Sequence, residues 1–240
     1  ILCGCQVALA QGRQTWRHDS VLLAIYQTIR AMRNRGKARL LSNKTEPKKQ
    51  SKFVSASAGE GHERAVEGSK FSTQLKEAPR PLFESSDDWE LQFDVCVAAD
   101  GQTKNSPFPP HIAASKYRPD GVMWSNKLKK VVWIELTSPW EEHMSIWHME
   151  KHEKYNKLAI AINAKGWTAV PLCVEVGARG YINHKWGHMC KVLGMRKWEN
   201  KSLQARVTEV AQRCSYYIYM SRKNKEWVVR PLLNAYSFQA

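Results

Sequence analysis

The sequence predicts an α/β domain built on a small mixed β-sheet flanked by helices. Three observations predict it. Residues 89–97 alternate, with Trp89, Leu91, Phe93, Val95 and Val97 on one side and mostly polar residues on the other, as in a half-buried strand. Residues 131–137 form a nearly continuous apolar run, the pattern of a central strand covered on both faces. Met144, Trp147, Lys151, Tyr155, Leu158 and Ile162 recur at spacings of three and four, so they share one face of a helix over about 142–163.

The remaining elements follow in order. Residues 1–16 contain cysteines, and Gly4 and Gly12 break any helix there. A helix starts at Asp19, capped by Asp19 or Ser20, and repeats Val21, Leu22, Ile25, Tyr26, Ile29 and Met32 at helical spacing. Arg30, Arg33 and Arg35 suit the dipole of its last turn, and Gly36 stops it. Residues 36–80 are rich in Lys, Ser, Glu and Gly and predict a flexible linker with one short strand near 53–54. Its lysines, Lys44, Lys48, Lys49 and Lys52, fit a solvated loop better than a nuclear import signal. Pro107, Pro109 and Pro110 enforce a loop. A strand follows at 121–124, then a turn at 125–130, and Pro139 ends the central strand. Gly166 closes the next helix, 168–176 is a further apolar strand, and 177–180 turns the chain. A last helix over 202–220 buries Leu203, Val207, Val210, Cys214 and Ile218, with a final strand at 227–229. Trp133 and Trp147 read as core.

Composition limits the function classes. A chain of 240 residues is one domain with appendages. No run of about 18 apolar residues exists, which excludes a membrane-spanning helix, and no membrane partner is expected. Lys and Arg number 37 against 22 Asp and Glu, a net charge of +15 that argues for a polyanionic partner, nucleic acid above all. The six cysteines are mostly far apart, several in apolar segments, and read as reduced thiols of an intracellular protein. The chain opens on Ile1 without a charged leader, and the expectation is a piece of a longer protein.

One constellation carries chemistry. Arg118-Pro119-Asp120 is followed, after fourteen residues, by Glu135-Leu136-Thr137. A hairpin between the two strands can bring both carboxylates to one end of the sheet, where a paired set attracts Mg²⁺. Such a cation polarises a phosphodiester and generates hydroxide near neutral pH. Glu135 lies in a strand otherwise made of core residues, a costly position unless it is paired or binds a cation. Lys151 sits in the apolar stripe of the next helix and can reach Glu135. There it either steadies a nucleophile or phosphate charge, forms a structural ion pair, or snorkels to the edge of the stripe. Asp94, Glu141 and Glu175 are further acids, the last two with ordinary reasons to stand at a helix start and a strand end.

These blocks resemble the restriction-like endonuclease domain at the C-terminal end of site-specific non-LTR retrotransposon proteins, a branch of the PD-(D/E)XK nuclease superfamily. Arg118-Pro119-Asp120 with Glu135 looks like its R/K-P-D…E signature. The stretch from Glu135 through Thr137, Pro139, Trp140 and Glu141 resembles its E-L-T-x-P-W-E. Lys151, Lys154 and Tyr155 resemble its K-x-x-K/R-Y helix. Glu175, Val176, Gly177, Arg179 and Gly180 resemble its E-V-G-x-R-G turn. Trp16-Arg17-His18-Asp19 resembles the W-R-H-D/N that follows a CCHC zinc knuckle. The resemblance implies residues 1–16 as the remnant of a truncated knuckle, 17–35 as a basic amphipathic helix, 36–80 as linker, 81–230 as a restriction-endonuclease-like core and 231–240 as a tail. Cys5 fits the knuckle's last cysteine. Cys3 and Cys5 alone cannot complete a tetrahedral site, and His18 is a possible further ligand although a capping or core role suits it better, so functional zinc is not expected.

The resemblance further implies a metal-dependent endonuclease that nicks DNA to prime reverse transcription, in the nucleus, with element RNA as a partner through the parent protein. Asp120 and Glu135 would hold Mg²⁺ or Mn²⁺, and Lys151 would assist catalysis. Thr137 stands where the superfamily name has lysine, which leaves Lys151 for that role and Lys154 in reserve. Tyr155, Glu175 and Arg179 are secondary candidates, Tyr155 being equally suited to packing. Arg118, Arg179 and Arg17 are the nucleic-acid-binding candidates. The alternatives are a catalytically inactive or domesticated nucleic-acid-binding module, for which the charge serves equally well, and an interaction domain, which explains neither the charge nor the buried acid.

Overall fold

A computed structural model describes residues 5–45, 80–95, 97, 102–224, 226–227 and 231–232. A short helix, α1 (Gln6–Ala10), precedes the long helix α2 (Arg13–Thr45), and Gly12 separates them with φ of +68°. Helix α2 begins before the expected Asp19 and does not stop at Gly36. The glycine has a different task there. A Cβ at Gly36 would lie 2.3 Å from the Phe83 carbonyl oxygen, so its absence lets α2 press against the 3-10 turn Leu82–Glu84. Residues 36–45 therefore belong to a helix. The rest of the expected linker, 46–79, with its short strand and Lys48, Lys49 and Lys52, lies outside the described residues.

Helix α2 is also not an amphipathic appendage. Every residue from Asp19 to Tyr26 is buried, so over two turns the helix is covered all round. Its Val21, Leu22, Ile25 and Ile29 share one core with the sheet. Burial of each such side chain contributes about 1.5–3 kcal/mol. The arginines expected to serve a C-terminal dipole instead sit within the helix, and Arg35 pairs with Glu199.

The sheet has four strands in the order β1 (Glu90–Phe93), β2 (Gly121–Ser125), β3 (Lys130–Thr137) and β4 (Thr168–Glu175). The first three pair antiparallel and β4 runs parallel to β3. The parallel pair needs a crossover, supplied by α3 (Met144–Asn163), which a 3-10 turn, Glu141–His143, introduces. The α/β class and the mixed sheet agree with the sequence. β1 is shorter than the expected 89–97, although Val95 stays buried and Val97 bridges to Gln102. Two helices close the chain, α4 (Trp186–Leu193), which the sequence reading lacks, and α5 (Lys197–Met220), which starts before the expected 202. Trp227 lies in no strand, and 228–230 lie outside the described residues.

The strands alternate between two cores. Met123, Val132, Ile134, Leu136, Leu172 and Val174 face α2 and α5. Val122, Trp124, Val131 and Trp133 face Tyr155, Leu158, Ala159 and Ile162 of α3. Trp133 is core as expected, fully buried. Trp147 is not: it is 43% exposed. The stripe that is core at Tyr155, Leu158 and Ile162 leaves Trp147 exposed, although Met144, one turn earlier, is buried. Among the described residues no helix is long and apolar enough to cross a membrane.

Candidate active site

The β2–β3 pairing brings the two acids together. Gly121 pairs with Ile134, so Asp120, one residue earlier, falls opposite Glu135. Val131 and Trp133 face α3, and the strand alternation continues to Glu135 and Thr137. Glu135 is 4% exposed and both its oxygens are engaged from α3. Lys151 Nζ donates to Oε1 at 2.5 Å, and the Tyr155 hydroxyl donates to Oε2 at 2.7 Å. Lys151 and Tyr155, four residues apart, lie on the same helix face. Burial and then the negative charge of Asp120 hold the Glu135 carboxyl above its usual range, against the opposing pull of Lys151 and Tyr155. The Tyr155 phenol is held well above its usual value by burial and by Glu135.

Asp120 is fixed by the backbone, its Oδ2 accepting from the Leu136 amide at 2.7 Å. A third element then enters. His18 of α2 has Nε2 3.1 Å from the Leu136 carbonyl oxygen and 3.4 Å from Asp120 Oδ2, and Nδ1 3.1 Å from Asp19 Oδ1. Both ring nitrogens face acceptors. Burial alone would lower its pKa, but Asp120 and Asp19 outweigh this and raise it to about 10, so the ring is an imidazolium. Asp19 in turn also binds Lys104. His18 therefore lines the cleft beside Asp120, within α2 rather than at a helix cap. Its one sequence signal is its position in the Trp16–Asp19 block. These groups line a cleft of about 420 Å³ that Gln14, Thr137, Trp140, Trp147 and Lys151 also border.

The other predicted residues divide. Thr137 borders the cleft, and its Oγ1 is buried without a hydrogen-bond partner among the described residues. Lys154 does not border it: its Nζ lies 4.7 Å from the Tyr155 ring centroid and 3.4 Å from that hydroxyl. Glu175 is buried, held above the usual carboxyl range by burial, and receives His148 at 2.9 Å. It does not line this cleft. Arg118 is exposed and bonds Asn105 at 3.1 Å. Asp94 caps the loop amide of Asn105.

Arg17 cannot bind nucleic acid from its position. It is 1% exposed and its guanidinium is engaged with Ser138 O at 3.0 Å and Ser215 Oγ at 3.2 Å. Arg179 remains 60% exposed, but Glu141 accepts from both its amide, at 2.6 Å, and its Nε, at 3.1 Å, while the guanidinium stacks 4.7 Å above Trp140. Glu141 thus ties the 138–141 stretch to the 177–180 turn. A Cβ at Gly177 would meet Glu141 Oε1 at 2.5 Å, which accounts for the glycine.

The donor set fits a hard cation. Asp120 Oδ2 and the Leu136 carbonyl converge on one positive group, His18, and Glu135 faces Asp120 across the ladder. Two carboxylates and a carbonyl are oxygen ligands of the kind Mg²⁺ accepts, with water or phosphate oxygen filling the remainder. Among the described residues no group of three or more His, Cys, Asp or Glu side chains is placed to hold a metal ion. Cys3 lies outside the described residues. Comparison with protein families, curated proteins and solved structures returns no match to this chain.

Proposed function

We propose that this chain is a metal-dependent DNA endonuclease domain of a retroelement protein, acting in the nucleus by hydrolysing one phosphodiester of target DNA to prime reverse transcription. The observation that carries the reading is the opposition of Asp120 and Glu135 across β2 and β3 on the wall of a cleft, with Lys151 clasped to Glu135. The ordered motif blocks and the net charge of +15 support it. Asp120 and Glu135 would hold Mg²⁺ or Mn²⁺, which when bound polarises the phosphodiester and acidifies a water. Lys151 holds Glu135 in position and offers a cation to the phosphate. Tyr155 keeps the second Glu135 oxygen oriented, and Arg118 offers an exposed guanidinium to the strand.

The test is nicking of supercoiled plasmid. The unmodified chain is expected to nick in Mg²⁺ or Mn²⁺, and EDTA or Asp120→Ala to abolish nicking. A second reading, a DNA-binding module without catalysis, is favoured by one observation: both Glu135 oxygens are already satisfied by Lys151 and Tyr155. An inert chain that still binds DNA with a steep salt dependence would select that reading.

A further inference from the structure

The cleft above Asp120 and Glu135 contains groups that chemistry at a phosphate does not use. Trp147 stands on its wall, 43% exposed and one helical turn from Lys151. A packed helix position ordinarily buries an indole, and this one stays exposed on the wall of the cleft instead. Trp140 borders the same cleft, its ring fixed by the Arg179 guanidinium 4.7 Å away. From the opposite side comes Gln14 of α2. Its Nε2 is buried and has no hydrogen-bond partner among the described residues.

An exposed indole on the cleft wall is the chemistry that takes a nucleobase, not a phosphate. A phosphate needs cations and backbone amides. Bases in an intact duplex have their faces covered by their neighbours and cannot lie on an indole. A cleft of about 420 Å³ is in the size range of pockets that enclose a small ligand, roughly 300–1,000 Å³.

We propose that this cleft takes a nucleotide whose base is unstacked from its neighbours and packs against Trp147, with its phosphate at Asp120 and Glu135. The substrate is then single-stranded DNA, or duplex opened at the cut, rather than closed duplex. The inference rests on the nuclease reading and specifies its substrate.

The experiment uses the full chain in EDTA, so that binding is read without cutting. Fluorescence anisotropy is measured with a labelled single-stranded oligonucleotide, the same strand made abasic, and the closed duplex. Trp147→Ala is expected to weaken single-strand binding by on the order of tenfold, with Trp147→Phe recovering most of the loss. Binding of the abasic strand and of the duplex is expected to change less than twofold. Trp147 is exposed, and a thermal melt of each variant checks the fold. Equal single-strand affinity of the unmodified chain and Trp147→Ala overturns the proposal, as does an equal loss on the abasic strand. Plasmid nicking with Asp120→Ala separates the two claims. Nicking without a Trp147 effect sinks the base site alone, whereas a Trp147 effect without nicking leaves the base site and removes the nuclease.

Discussion

His18 and Asp120 are 102 positions apart, yet His18 Nε2 lies 3.4 Å from Asp120 Oδ2, and the same nitrogen meets the Leu136 carbonyl at 3.1 Å. The contact joins the buried helix α2 to the acid pair of the β2–β3 hairpin. It also means that the region before residue 46 is part of the site rather than a tether for it. Two carboxylates, Asp120 and Asp19, flank the ring and favour its protonated form, whose charge offsets theirs. Removal of His18 leaves both acids and a carbonyl short of a donor.

His18→Ala is accordingly expected to lower stability by about 1.5–3 kcal/mol, the range for hydrogen bonds to charged groups. Urea unfolding in EDTA measures this. His18→Asn keeps a donor at one position and is expected to lose less. If the alanine variant unfolds at the urea midpoint of the unmodified chain, the ring has no structural part in the site.

Lys151 and Glu135 form the second close pair, with Glu135 buried and Lys151 about a quarter exposed. Breaking a buried pair from one side costs about 3–5 kcal/mol because a charge is left without its partner. The partial exposure of Lys151 reduces this, and Tyr155 still serves Glu135. Lys151→Met is therefore expected to cost about 2 kcal/mol. The double variant Lys151→Met with Glu135→Leu is expected to be no less stable than the single one. A double-mutant cycle in urea reads the coupling. Additive losses would mean that the two side chains do not interact.

The sheet and its acids were legible because period-two alternation and a buried Glu in an apolar run are local signals. Asp120 opposite Glu135 needed only a hairpin. Trp147 was misread because helical spacing tells which face a residue occupies but not whether anything packs over it. The His18 contact was not legible from spacing, since nothing local ties the two segments. Helix α4 did carry a signal, with Trp186, Met189, Cys190 and Leu193 at the spacing of one buried face. Its shortness and the preceding glycines hid it. Arg17 illustrates the limit of charge as evidence: a guanidinium next to a motif can as easily stitch Ser138 to Ser215 as meet a phosphate.

The cysteines give a chemical readout of the core. Burial pushes the thiols of Cys190 up to about 11 and of Cys214 up to about 12, and Cys173 to about 12 with the charges of Glu135 and Glu175 adding to burial. The thiolate is the reactive form, so these three are expected to resist iodoacetamide at pH 8 in the native protein and to react in urea. Cys5, less buried, is expected to react in both. The sign for stability follows. The unfolded thiols ionise near pH 9 and the folded ones do not, so the thiols' own contribution to stability is constant below that pH and falls as pH rises from about 9 toward 12. Peptide mapping by mass spectrometry gives the reactivities. Prompt native labelling of Cys214 would contradict its burial in the α2–α5 core.

Gly36 provides a test in which two effects compete with opposite sign. As a glycine inside a helix it costs about 1 kcal/mol relative to alanine, so propensity alone predicts that Gly36→Ala stabilises. Packing predicts the reverse. The added Cβ would lie 2.3 Å from the Phe83 carbonyl oxygen and 2.7 Å from its carbon, both backbone atoms that cannot rotate away. Forcing a methyl into such a contact costs typically 1–3 kcal/mol, and the backbone on the receiving side puts this case at the upper end. The expected net effect is a loss of about 1–2 kcal/mol, seen as a lower thermal midpoint. Gly187→Ala, at a helical position where an added Cβ meets nothing within 4 Å, serves as a control that adds the same methyl in open space. A gain of stability in Gly36→Ala would mean that α2 does not rest on the 82–84 turn.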